Sequence, residues 1–90
     1  MAKIEQINLI ISGTVTDENG GGLPGVSILI KGTQRGTVTD PNGKYKIDVP
    51  DESAVLVFSY VGYLSQEIVV GNKTQINTSL ATDMKALQRR

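Results

Sequence analysis

Ninety residues make one small domain, in which nine basic residues balance nine acidic ones to a formal charge of zero. The chain has no Cys and no His. This excludes disulfides, thiolate metal sites and histidine as general base, metal ligand or pH switch. Zero net charge, with aromatics limited to three tyrosines and one phenylalanine, argues against a nucleic-acid or anionic-lipid surface and against a base-stacking platform.

The chain opens on Met1-Ala2-Lys3-Ile4-Glu5-Gln6, too polar for a signal peptide, and residues 1–6 are read as an N-terminal extension. Ile7, Leu9, Ile11 and Val15 alternate with Asn8, Ser12, Thr14 and Thr16, the period of two that marks a strand. An eight-residue phrase then appears twice. Gly13-Thr14-Val15-Thr16-Asp17-Glu18-Asn19-Gly20 returns as Gly36-Thr37-Val38-Thr39-Asp40-Pro41-Asn42-Gly43. In each copy β-branched residues suited to a pleated surface run into Asp, Asn and Gly suited to a turn.

Between the copies, Val26, Ile28 and Ile30 alternate in a second strand, and a short third covers about 35–39. After the second turn, Tyr45, Ile47 and Val49 alternate with Lys44, Lys46 and Asp48 in a fourth. Pro50-Asp51-Glu52-Ser53 breaks the pattern. Residues 54–61 are almost wholly apolar and predict a central strand covered on both faces. Residues 64–70 and 74–80 supply a sixth and a seventh. Seven strands at this spacing predict an all-β antiparallel sandwich over residues 7–81. Residues 82–90 read as a linker stump with the makings of a helical turn capped by Thr82 or Asp83. The expected core is Ile7, Leu9, Ile11, Val15, Val26, Ile28, Ile30, Tyr45, Ile47, Val49, Leu56, Phe58, Tyr60, Ile68, Val70, Ile76 and Leu80.

The chain offers little chemistry. Asp17/Asn19 and Asp40/Asn42 supply oxygen ligands, but without the further bidentate acid of a calcium loop, so plain turn chemistry is the better reading. A Lys–Asn cross-link of Lys31 or Lys46 with Asn77 is admitted by residue type, yet alternation places both lysines outward. No activated serine can be built without His. No catalytic residue, metal ligand or cofactor is assigned. No run reaches the ~18 apolar residues of a membrane helix, so the chain is not expected to insert in a membrane. Two features remain as candidate interaction surfaces. One is the long apolar first strand, through Ile7, Leu9 and Ile11, which is at risk of being an edge that a neighbouring copy could accept, although pairing within its own domain is the better reading. The other is the aromatic pair Tyr60 and Tyr63 at a strand end, although core packing of Tyr60 beside Phe58, with Tyr63 covering the sandwich end, is the better reading.

A series of motifs then carries a resemblance. Ile11-Ser12-Gly13-Thr14-Val15-Thr16-Asp17, Leu23-Pro24-Gly25-Val26-Ser27-Ile28, Lys31-Gly32-Thr33, Gly36-Thr37-Val38-Thr39-Asp40, Gly43-Lys44-Tyr45 and Leu56-Val57-Phe58-Ser59-Tyr60-Val61-Gly62-Tyr63 follow one another in that order. Over about residues 7–87 the chain closely resembles the carboxypeptidase regulatory-like domain at the N-terminus of SusC-like TonB-dependent outer-membrane transporters of Bacteroidetes. The resemblance implies a transthyretin-like, Ig-like seven-stranded sandwich. It implies a periplasmic or cell-envelope location and a non-enzymatic accessory role in energised nutrient uptake. Partners would be the transporter's plug and barrel or periplasmic energy-coupling proteins, and no catalytic residue carries over. After Lys85-Ala86-Leu87 the chain departs from the family pattern, running into Gln88-Arg89-Arg90 where an acidic residue and a Val-rich stretch normally follow. Having no plug or barrel, it reads as a piece of a transporter or a stand-alone domain. The residues taken alone offer an alternative function, a self-associating structural subunit that forms oligomers by donating its N-terminal strand.

Overall fold

Tyr45 reaches across the middle of a sheet, and the strand order makes that reach possible. The structure, a computed structural model, describes residues 9–83. In chain order its strands are β1 (Leu9–Thr16), β2 (Ser27–Ile30), β3 (Gly36–Val38), β4 (Lys44–Val49), β5 (Val55–Ser59), β6 (Gln66–Val69) and β7 (Thr78–Ser79). They form two sheets, of order β4-β1-β7 and β3-β2-β5-β6, and no helix occurs among the described residues. The fold is the expected all-β seven-stranded sandwich. The candidate helical turn after Thr82, Ile7 of the expected core, and the 1–6 extension lie outside the described residues.

β1 is the middle strand of its sheet, paired within its own domain, so the edge-strand alternative does not hold. It pairs antiparallel with β4 from Leu9↔Val49 to Thr14↔Lys44. On its other side it pairs with β7 through Val15↔Thr78 and Thr16↔Ser79. That second ladder is parallel, the one departure from antiparallel order among the described ladders. Position in the chain does not fix position in the sheet: β1 is the first strand of the chain, yet it is flanked on both sides. β7 is shorter than expected for a related reason. Residues 74–76 run beside β1, with Ser12 N–H donating to Thr74 O at 3.2 Å and Ile76 N–H to Ser12 O at 2.9 Å. Thr14 N–H then donates to the Asn77 side-chain Oδ1 at 2.9 Å instead of a carbonyl, which interrupts the ladder.

Gly13 lies between the inward-facing Ile11 and Val15 and opposite Tyr45. A Cβ at Gly13 would overlap the Ile76 carbonyl oxygen and crowd the Tyr45 ring. The missing side chain lets Tyr45 cross β1, and its hydroxyl donates to Ile76 O at 2.7 Å on the far side. The ring also meets Phe58 of the facing sheet edge-on, at 5.7 Å between centroids, a favoured aromatic geometry. Phe58 is fully buried, with Ile11, Val15, Ile28, Leu56 and Leu80 among its fully buried companions in the core.

The core matches expectation with two additions, Leu23 and Ala54. Leu9, Tyr60 and Ile68 pack against it partly buried. β5 is corrected in one respect. Leu56 and Phe58 face the core, but Val55 and Val57 are half-buried on an outer face that also shows Leu29 and Val69. An apolar run does not reveal whether a second layer covers its other face.

Truncating Phe58 to Ala is expected to cost about 3–5 kcal/mol, read as a drop in the urea midpoint; an unchanged midpoint would remove Phe58 from the core. Burial pushes the Tyr45 hydroxyl up to about 12 from its ordinary 10. The folded state therefore favours neutral tyrosine. The stability this gives is complete below pH 10 and lost as pH rises towards 12. Tyr45→Phe is expected to cost about 1–3 kcal/mol at neutral pH, because the Ile76 carbonyl loses its donor. It should also flatten the decline in stability between pH 10 and 12. A decline as steep as in the parent chain would contradict this role.

Candidate interaction surface

The two copies of the repeated phrase fold into the same turn. Asp17 Oδ1 accepts the N–H groups of Asn19 at 2.8 Å and Gly21 at 2.9 Å. Asp40 Oδ1 accepts those of Asn42 and Lys44, both at 2.9 Å. Each Asp N–H in turn donates to the carbonyl four residues ahead, Gly21 or Lys44, at 2.8 Å. The carboxylates organise backbone, which is turn chemistry. Asp51 acts similarly: the Ser53 hydroxyl and N–H both donate to it and lower its pKa. Among the described residues no group of three or more acids is placed to hold a metal ion.

The two turns also meet. Val15 N–H donates to Gly43 O at 2.8 Å, and Leu23 N–H to Val15 O at 2.9 Å. Thr39, from the second phrase, is buried and stitches the Leu23–Val26 segment in place. Its hydroxyl donates to Leu23 O at 2.5 Å and accepts Val26 N–H at 2.9 Å.

The cross-link pairs are not assembled. Lys31 is exposed and paired with Glu67 at 3.1 Å, Lys46 and Asn77 are exposed, and Asn77 Oδ1 is engaged by Thr14 N–H.

The five candidate surface residues separate. Ile7 lies outside the described residues. Ile11 is fully buried, which corrects its reading as a contact residue. Leu9 is half-buried against the core, opposite Val49 and at the far end of the sandwich from the tyrosines. Tyr60 and Tyr63 do come together, with ring centroids 5.7 Å apart and planes tilted by 36°.

What the sequence reading missed lies between and beside them. Val61 is 92% exposed and Leu64 51%. Tyr60-Val61-Gly62-Tyr63 is a turn, closed by Tyr63 N–H donating to Tyr60 O at 3.1 Å. Gly62 supplies the positive φ of 89° that the third residue of a type II turn needs. Gly62 marks the end of the apolar run in the sequence, but Val61, counted with the strand, belongs to the turn. Beside the turn is a shallow concavity of about 420 Å³ lined by Gly25, Ser27, Ser59, Tyr60 and Val61.

The chain's last described residues hold this turn. Leu64 N–H donates to Ala81 O at 2.8 Å and Asp83 N–H to Gly62 O at 2.9 Å, and Tyr63 bridges to Thr82. Thr82 and Asp83, read as linker, therefore pair with the sandwich. Thr82 also donates its hydroxyl to Glu18 Oε1 at 3.1 Å. On the nearby flank Gln66 joins the two sheets, donating to Ser79 O and accepting the Thr78 hydroxyl, both at 2.7 Å. The opposite flank, between β3 and β4, leaves a groove of about 510 Å³ lined partly by Arg35, Lys46 and Asp48.

Among the described residues no helix is long and apolar enough to cross a membrane. Among solved structures, a chain of a mutant type II cohesin–X–dockerin complex from Acetivibrio cellulolyticus is similar, with a TM-score of 0.67 at 20% identity over 82% of this chain and 58% of that one. 3-Chlorocatechol 1,2-dioxygenase from Rhodococcus opacus follows at 0.61 and 15%, over 88% and 61%. These likenesses concern the fold alone. In sequence, the chain is 49% identical over 79 residues to TonB-dependent receptor P3 of Formosa agariphila, 87% of this chain and 8% of the receptor. It is 32% identical over 79 residues to TonB-dependent receptor SusC of Bacteroides thetaiotaomicron, 88% of this chain and again 8% of the receptor. The chain thus spans under a tenth of the length of these relatives. The CarboxypepD_reg-like domain family matches residues 11–89, and with the sandwich and these relatives in view, the chain belongs to that family.

Proposed function

We propose that this sandwich is a non-enzymatic accessory domain of a TonB-dependent receptor, working in the periplasm by contacting protein. The similarity to receptor P3 carries the reading. Its partners would be the receptor's own plug and barrel or the periplasmic proteins that couple energy to it. Residues 7–81 would form the module, together with Thr82 and Asp83, which pair with it, and 1–6 would be an extension. The structure supports a contacting role in two ways. The buried face of β1 serves the core, and strand donation would break its ladders to both β4 and β7. The exposed apolar residues Val61 and Leu64 instead sit at one end beside two half-buried tyrosines, the kind of aromatic surface that anchors protein contacts.

Deleting the domain from the receptor that carries it should lower energised uptake and weaken capture of a periplasmic or barrel partner, while the barrel still reaches the outer membrane. Uptake and capture equal to the intact receptor would contradict the proposal.

A further inference from the structure

The zero net charge of the chain conceals a separation. The turns at the Tyr60–Leu64 end carry Asp17, Glu18, Asp40 and Asp83, against Lys44 as the one cation at that end among the described residues. The same end presents Val61 and Leu64 to solvent. It is therefore both apolar and acidic. The hydrogen bonds from 81–83 to 62–64 fix where the polypeptide leaves the sandwich. Asp83, the last described residue, donates its N–H to the carbonyl of Gly62, the neighbour of Val61 in sequence. The continuation is Met84-Lys85-Ala86-Leu87-Gln88-Arg89-Arg90, which holds three of the chain's nine cations, no anion, and the apolar Met84 and Leu87.

We propose that the Tyr60–Leu64 end is the docking surface for the chain's own residues 84–90. Met84 and Leu87 would be set against Val61, Tyr63 and Leu64, and the three cations would face the carboxylates of Asp17 and Glu18. The occupant is identified by charge complementarity and by the exit point together. A tethered segment needs little intrinsic affinity, because its effective concentration at a neighbouring surface is high. The electrostatic part should weaken with salt, since exposed charges are screened over about 8 Å at physiological ionic strength. The proposal concerns contact within one chain and does not rest on the transporter reading.

The test is methyl NMR on the full 90-residue chain, with the free peptide of residues 84–90 as reference. Cross-relaxation is expected from the Leu87 and Met84 methyls to those of Val61 and Leu64, with Leu87 shifts displaced from the peptide values. Val61→Asp should abolish both signals and leave the Leu80 methyl and Phe58 ring shifts in place, because Val61 is solvent-facing and its replacement spares the core. Peptide-like Leu87 shifts in the parent chain would overturn the proposal. So would contacts that survive Val61→Asp. Contacts that prove intermolecular in a mixed-label sample would also overturn it, by making a second copy the occupant.

Discussion

Tyr45 crossing over Gly13 is the contact on which the rest of the sandwich depends. The hydroxyl of a β4 residue reaches a carbonyl beyond β1, so one side chain ties together all three lines of chain in that sheet. The tie needs the absent side chain of Gly13. It also places the ring edge-on to Phe58, so the same residue joins the two sheets. A polar group buried this way is stable because its partner is present; without one, it would cost more than it gives.

The tie has consequences for function. A first strand held on both sides is a poor candidate for donation to a neighbour, and its apolar residues belong to the core. The surface we propose for recognition is the opposite end, where β5 turns at Val61 and the last described residues are hydrogen-bonded to that turn. The repeated Asp-x-Asn-Gly phrases build the acidic turns at that end and join them backbone to backbone. Conformation and surface charge therefore come from the same residues. The Lys31–Glu67 pair, exposed on the outer sheet face, contributes little by comparison.

Much of this was legible in the sequence, for reasons that differ by element. The alternation Lys44-Tyr45-Lys46-Ile47-Asp48-Val49 is uninterrupted, and β4 spans those residues. Ile76 and Leu80 declared their burial, but β7 is reduced to two residues because the Asn77 amide replaces a backbone partner. Periodicity reports which face a residue takes, not where its hydrogen bond goes. It is equally blind to strand direction, so the parallel β1–β7 ladder had no signal. β1 carries the risk of being an edge because it comes first in the chain, and periodicity does not report its two flanking neighbours. Of the candidate surface, Tyr60 and Tyr63 were found by their aromatic character. Val61 and Leu64 were missed because an apolar residue at a turn tip looks like an apolar residue in a strand.

Amide hydrogen exchange along β1, compared with β2 and β5, tests most directly whether the first strand is held within its own domain. The account predicts that Ile11, Gly13 and Val15 exchange only through global unfolding, as slowly as the amides of Ile28 and Phe58. Faster exchange along β1, with β2 and β5 still protected, would mean that the strand detaches on its own, contradicting the account.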